Sequence, residues 1–447
     1  MSIDQSKEFA KYLQESRIFI VDTSSASRAR LAKTLVDMGA KTGKISMIGN
    51  AETAISELAA AQPRVILCDY HLGKLSGFDL LRTHREANRN APDHLYVLIT
   101  ANASQSAVAK AAEEDVDAFI LKPYTIDSLK AGLLNAAIAK LFPSEYMQTV
   151  RKGRDLLFAA QIEEAIQTFI KAKTMSPSPT LACFYLGQAM YMKEALQEAQ
   201  GSYAEGLAIN KIHFKCLVGL FDVLYNQKRY HEAYEIMSRI AEYFPANPDR
   251  LATVIRLTVL TANYKDIERY YNIFTALDAR NDELVSYICA GLIISAKYHL
   301  LHNNQVQALD LLKKASISCA GSTRFLRKMV TLLLDFNLVS ETQEIIARFP
   351  AHEQEKPDYL ACKYLVEDRN AEVGAVIESG RKLLGKGVKD SDVYRILIQR
   401  LIETKKFDNA EHLARELSEF DAPAGKEILS TIELLSQEVK LSEAEAG

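Results

Sequence analysis

Five short, predominantly apolar runs, at residues 18–21, 45–48, 65–68, 95–99 and 118–121, punctuate the first 140 residues. Between them lie segments with helical spacing of apolar positions: Leu31, Leu35 and Val36 with Met38 before Gly39, then Ala54, Ile55 and Leu58, then Phe78 and Leu81. Unbroken apolar strands alternating with single helices predict a parallel sheet covered on both faces, a doubly wound α/β domain. "EFAKYLQES" predicts a short additional helix through Phe9, Tyr12 and Leu13. From about 144 onward the strand pattern disappears and a 34-residue period takes over. Ala165, Ala199 and Ala233 share one register, as do Phe169, Tyr203 and Met237, while Gly153 and Gly187 share theirs with Phe221. A small residue lets two helices cross closely, and the large apolar residue four positions on lies on the same helix face. Ile267, Tyr271 and Phe274 extend the pattern. Ala308, Leu312 and Ala315, the segments "VSETQEIIARFP" and "NAEVGAVIESGRKLL", and Ala410, Ala414 and Leu417 continue it more loosely.

The chemistry gathers where the strands end. The first strand ends on Asp22, the third on Asp69, the fourth on Thr100 and the fifth on Lys122. Open parallel sheets bind ligands at the carboxyl edge of their strands, where the strand order switches direction. Carboxylates there suit a hard divalent cation, and an ammonium with a hydroxyl suits phosphoryl oxygens. A lone strand-end acid more often caps the next helix, and a lysine before proline more often belongs to a loop. The four together favour a phosphoryl site.

The segments "VDTSSASR", "ILCDYHLGKLSGFDLL", "LITANAS" and "FILKPYT" resemble the receiver domain of two-component response regulators. The resemblance implies that Asp69 accepts a phosphoryl group from a sensor histidine kinase or a histidine phosphotransfer protein. It implies contacts to that group from Lys122, the Thr100 hydroxyl and the Ala101 backbone N–H. Thr100 and Phe119 fall at the family's paired switch positions, and His71 and Asn102 at positions that tune hydrolysis. Magnesium is the implied cofactor, held by Asp22, Asp69 and the His71 carbonyl oxygen. The family's first strand normally ends on adjacent acids; here the second is Thr23, so weaker magnesium binding is expected. Gly73 stands where a proline is common. Cys68, beside the acceptor, is expected to be a buried inert thiol.

The 34-residue period resembles the tetratricopeptide repeat family, with three clear units and looser helical hairpins after them. The resemblance implies a superhelix whose groove is lined by the first helix of each pair. By register this gives Met147, Val150, Arg154 and Leu157, then Leu181, Phe184, Gln188 and Tyr191, then Lys215, Val218, Asp222 and Tyr225. The apolar members, Met147, Val150, Leu157, Leu181 and Phe184, are equally consistent with packing against neighbouring helices. The expected organisation is an extension at 1–16, a receiver domain at 17–142 of flavodoxin/CheY-like α/β class, three repeats at 146–247, degenerate all-α repeats at 248–435 and a polar tail at 436–447. Pro143 is the marked breaker between receiver and repeats, with no Gly/Ser linker.

A formal net charge of -3 gives no reason to expect nucleic acid or an anionic membrane as partner. The longest apolar stretch, Leu284 to Leu301, contains Lys297 and His299 and reads as a buried helix. Met1 to Gln14 lacks a signal-peptide pattern. Six cysteines without a paired spacing suit a reducing, cytoplasmic compartment. No enzyme motif is evident. The expected output is binding of a protein or peptide, with homodimerisation allowed. The alternative is a phosphorylation-independent scaffold that docks on a kinase or another regulator.

Overall fold

A computed structural model describes residues 3–88, 91, 93–101, 111, 116–244, 247–277 and 280–445. Two compact units divide the chain, one ending at Leu257 and the other beginning at Thr258.

In the first unit, helix α1 (Ile3–Glu15) precedes β1 (Ile18–Val21), α2 (Ser25–Asp37), β2 (Ile45–Ile48), α3 (Ala51–Ala61), β3 (Val65–Cys68), α4 (Gly77–Ala87), β4 (Leu95–Thr100), β5 (Ala118–Leu121) and α5 (Ile126–Leu141). The strands are all parallel, in the order β2-β1-β3-β4-β5. Alternate strand residues feed two cores. Ile18, Ile20, Val65, Leu67, Val97 and Ile99 pack with Leu31 and Leu35 of α2, Leu129 and Leu133 of α5, and Phe9, Tyr12 and Leu13 of α1. Phe19, Val21, Ile66, Cys68 and Leu98 pack with Ala54 and Leu58 of α3 and with Phe78 and Leu81 of α4. Helix starts are set locally. Ser24 and Asn50 accept backbone N–H groups of α2 and α3, and Ser76 with Asp79, then Thr125 with Ser128, form reciprocal caps.

Hairpins follow: α6 (Glu145–Phe158) with α7 (Ile162–Lys173), α8 (Thr180–Met192) with α9 (Leu196–Ile209), and α10 (Phe214–Asn226) with α11 (Tyr230–Tyr243). Helix α12 (Pro248–Leu260) comes next. The sequence period has a direct physical origin. Ala165, Ala199 and Ala233 are fully buried, and Phe169, Tyr203 and Met237 nearly so. A Cβ on Gly153 would lie 2.5 Å from Phe169, and one on Gly187 would lie 2.6 Å from Tyr203. Each hairpin turn also places one residue, Ala160, Glu194 and Lys228 in succession, in the left-handed region that ends the preceding helix.

In the second unit, α13 (Ile267–Thr275), α14 (Asp282–Leu301), α15 (Gln305–Ser318), α16 (Thr323–Asp335), α17 (Thr342–Ile346), α18 (Pro357–Asn370), α19 (Val373–Gly385), α20 (Ser391–Glu403), α21 (Phe407–Phe420) and α22 (Ala422–Glu445) run in order. Helix α14 is long and apolar enough to cross a membrane, but Leu284, Ile288, Cys289, Leu292 and Ala296 on it are fully buried. The segment "VSETQEIIARFP" forms only the short α17, and Pro350 follows it without a full second helix. Arg327 of α16 binds Asp358, Asp390 and Asp392, tying α16 to the starts of α18 and α20.

Candidate functional site

Strand β1 pairs with β2 on one side and β3 on the other, so the crevice at its carboxyl end is a topological switch point. Val21 lies opposite Cys68, which brings the next residues, Asp22 and Asp69, out of the sheet side by side. The Asp69 N–H donates to Val21 O at 2.8 Å and the Asp22 N–H to Ile48 O at 3.2 Å. Strand β4 ends on buried Thr100, whose carbonyl accepts the Lys122 N–H at 2.7 Å. Lys122, just beyond β5, reaches back along the edge. Its ammonium donates to Asp22 Oδ2 at 2.7 Å and to Asp69 Oδ2 at 2.5 Å.

The first turn of α2 completes the Asp22 environment. The Ser24 N–H donates to Oδ1 at 2.8 Å and the Ser27 hydroxyl to Oδ2 at 2.6 Å. Arg28 donates to the Asp22 and Thr23 carbonyls. Burial alone would raise the Asp22 carboxyl, but the bonds from Lys122, Ser27 and the Ser24 N–H outweigh it and hold the group below its ordinary value. Burial likewise works against the Lys122 charge, and the two carboxylates overcome it and raise the ammonium. Ser27 and Arg28 were not singled out by motif. Their signal was positional: five and six residues after a strand-end acid, they fall on the helix turn that folds back over it.

His71 is exposed, and its N–H donates to Asp69 Oδ1 at 3.2 Å. Ala101 is exposed beside Thr100, and Asn102 lies outside the described residues. Phe119 pairs with Leu98 and packs in part against the α3/α4 core. Two residues on, Leu121 pairs with Thr100, so Phe119 and Thr100 lie near each other on one sheet face. Cys68 is buried, and desolvation pushes its thiol up to about 12, so it is protonated and unreactive at neutral pH. Among the described residues, no group of three or more His, Cys, Asp or Glu side chains converges as a metal site. The Lys122 ammonium nevertheless touches one oxygen of each acid, so Asp22 and Asp69 converge on a single cation-sized point. Two carboxylates and a backbone carbonyl fit magnesium if water fills most of its shell. Thr23, exposed and uncharged, adds no third acid.

The helical hairpins distribute the register residues unevenly. Val150 and Leu157 are buried, Val150 with Ala172 and Ala182, and Leu157 with Ile166 and Phe169. They are packing residues, which corrects their assignment to an accessible groove: the neighbouring helices cover them. Gln188 and Asp222 are exposed, and Met147, Arg154, Leu181, Phe184, Tyr191, Lys215, Val218 and Tyr225 are partly so. Asp222 opens to water but is ringed by protein, and the resulting desolvation pushes its carboxyl up to about 6.

Residues 18–133 match the family described as "Response regulator receiver domain". The probable chemotaxis protein CheY of Rhizobium etli is 25% identical over 120 residues, which are 27% of this chain and 91% of that protein. The chemotaxis protein CheY of Pseudomonas aeruginosa is 30% identical over 115 residues, 26% of this chain and 90% of that protein. The chemotaxis protein CheY-3 of Vibrio cholerae is 29% identical over 117 residues, 26% of this chain and 88% of that protein.

Proposed function

Because the chain belongs to the response regulator receiver family through residues 18–133, we propose that it is a phosphorelay response regulator whose output is protein binding. Asp69 is the acceptor. One of its carboxylate oxygens attacks the phosphorus of a phosphohistidine on a sensor kinase or phosphotransfer protein. The P–N bond breaks, and the leaving imidazole nitrogen keeps the electron pair and takes up a proton from solvent. The observation that carries this reading is the Lys122 ammonium joining Asp22 and Asp69 at the switch point, with Thr100 on the adjacent strand end. On this reading the Lys122 ammonium shifts from the carboxylates to the phosphoryl oxygens, and the Thr100 hydroxyl and Ala101 N–H donate to them. Magnesium, when held by Asp22, Asp69 and the His71 carbonyl, would neutralise phosphoryl charge. The added phosphoryl group carries about -1.5 to -2 charge, enough to rearrange the Thr100–Phe119 face.

The output is a helical array of tetratricopeptide type in a cytoplasmic, non-enzymatic protein. The 34-residue recurrence of buried alanines, facing glycines and left-handed turn residues supports it. The Arg151 guanidinium of α6 donates to the Lys140 carbonyl of α5, so the receiver's last helix is joined to the first hairpin without a flexible linker. Incubation with acetyl phosphate or beryllofluoride plus magnesium should alter the hydrodynamic shape or partner affinity of wild type but not of Asp69→Ala. No change in wild type would defeat the phospho-switch.

A second reading, a receiver fold used only for docking, is favoured by Thr23 and by the Asp22 carboxylate, both of whose oxygens already accept protein donors. It predicts that Asp69→Ala leaves function intact in the cell.

A further inference from the structure

Resting on the reading of the helical array as the output, a particular partner chemistry follows from four residues spaced 34 apart. Arg154, Gln188, Asp222 and Arg256 occupy the same register on α6, α8, α10 and α12. Within the protein the Asp222 charge is left unmatched and the Arg154 charge is matched only by a long contact. Among the described residues, no hydrogen bond or ion pair reaches the Asp222 carboxylate. Arg256, one repeat away, donates instead to the Tyr225 hydroxyl at 2.7 Å and lies 5.7 Å from that ring's centroid. The Tyr191 hydroxyl, one repeat to the other side, accepts from Asn226 at 3.3 Å. By helix spacing and repeat register Asp222 falls between Tyr225, three residues on along α10, and Tyr191, one repeat back on α8, both with hydroxyls engaged by other side chains. At the start of the row, Arg154 has a buried Nε with no acceptor. Its nearest carboxylate is the largely exposed Asp155 at 3.6 Å.

A carboxylate without a donor, in surroundings that already raise it to about 6, gains from any cation that reaches it. The Arg154 side chain is 38% exposed and its Asp155 contact is long, so its outer guanidinium nitrogens gain from a partner carboxylate. We propose that this face receives a segment of a partner protein that sets a lysine or arginine against Asp222, between Tyr191 and Tyr225, and a carboxylate toward Arg154. Aromatic rings beside the cation add cation–π attraction, and the opposite charges at the two positions fix the direction in which the segment lies.

The test uses the full chain and a phage-displayed library of random peptides. Wild type should select peptides rich in Lys or Arg with an acidic residue displaced to one side. Asp222→Asn should weaken those peptides by about tenfold or more, and Asp222→Lys should turn the selection from basic to acidic. Arg154→Gln should remove the acidic preference and leave the basic one. Peptides selected and bound equally by wild type and Asp222→Asn would overturn the inference while leaving a protein-binding output in place. Failure to select any peptide would also overturn it. So would concentration-dependent self-association that Asp222→Asn abolishes, because the face would then belong to a second copy. Phosphorylation of Asp69 is read separately and is unaffected by any of these results.

Discussion

Replacing Lys122 by Met removes the ammonium that holds two carboxylates together, and the structure sets the size of the effect. The Asp22 side chain is 2% exposed and the Asp69 side chain 14%, with Lys122 itself at 22%. A charge-assisted bond contributes about 1.5–3 kcal/mol, and stripping the partner from a buried charge costs about 3–5 kcal/mol. The lysine tip and Asp69 retain some water, so the lower end applies. The expected loss is about 3 kcal/mol, or about a hundredfold in the population of the opened sheet edge. Most of it belongs to Asp22, whose remaining donors are the Ser24 N–H and the Ser27 hydroxyl. Asp22→Asn placed in the Lys122→Met background should therefore recover about 1 kcal/mol, because it removes the charge left without its main partner. Hydrogen exchange of β1 and β3 peptides, measured by mass spectrometry across a urea series on the full chain, reads this directly. A loss below about 0.5 kcal/mol, or strictly additive costs of the two substitutions, would refute the argument that the ammonium organises the site.

Other parts of the structure set four further outcomes. His84 is buried with its Nε2 3.1 Å from the Pro63 carbonyl and 3.2 Å from His94 Nδ1, and burial lowers it from 6.5 to about 4. The folded form keeps it neutral while the unfolded chain protonates, so its contribution is complete above 6.5 and is lost as pH falls toward 4, by about 3 kcal/mol in all; His84→Gln should flatten the pH dependence of β4 exchange. Gly153→Ala should destabilise the first hairpin by about 1–3 kcal/mol, because its Cβ meets Phe169 at 2.5 Å. Gly201→Ala, with no atom within 4 Å, should stabilise by about 0.5–1 kcal/mol; circular dichroism melts compare the two. Thr23→Asp should tighten magnesium binding about tenfold by adding a third acid, and isothermal titration showing unchanged affinity would favour the docking-only reading.

Periodicity carried most of the fold. The inner strands β1, β3 and β4 are unbroken apolar runs buried on both faces, while the edge strands β2 and β5 are only partly buried, so strand positions and parallel pairing follow from composition and alternation with helices. The strand-end residues Asp22, Asp69, Thr100 and Lys122 were legible for the same reason, since each terminates a recognisable run. The 34-residue period was legible because close helix crossings admit only small residues at Ala165, Ala199 and Ala233. Other features depend on contacts that a one-dimensional pattern does not encode. Val150 and Leu157 share a register with accessible positions, yet adjacent helices cover them. Ser27 and Arg28 look like ordinary first-turn residues until the helix folds back over Asp22. Arg327 meets Asp358, Asp390 and Asp392 from two separate helix starts, and nothing in their spacing announces the cluster.

The central claim is that Asp69 accepts a phosphoryl group. Intact-mass measurement of the full chain after incubation with acetyl phosphate and magnesium tests it most directly. The account predicts a mass increase of one phosphoryl group in wild type, lost on mild alkaline treatment and absent in Asp69→Ala. An unmodified wild-type chain, or equal modification of Asp69→Ala, would contradict it.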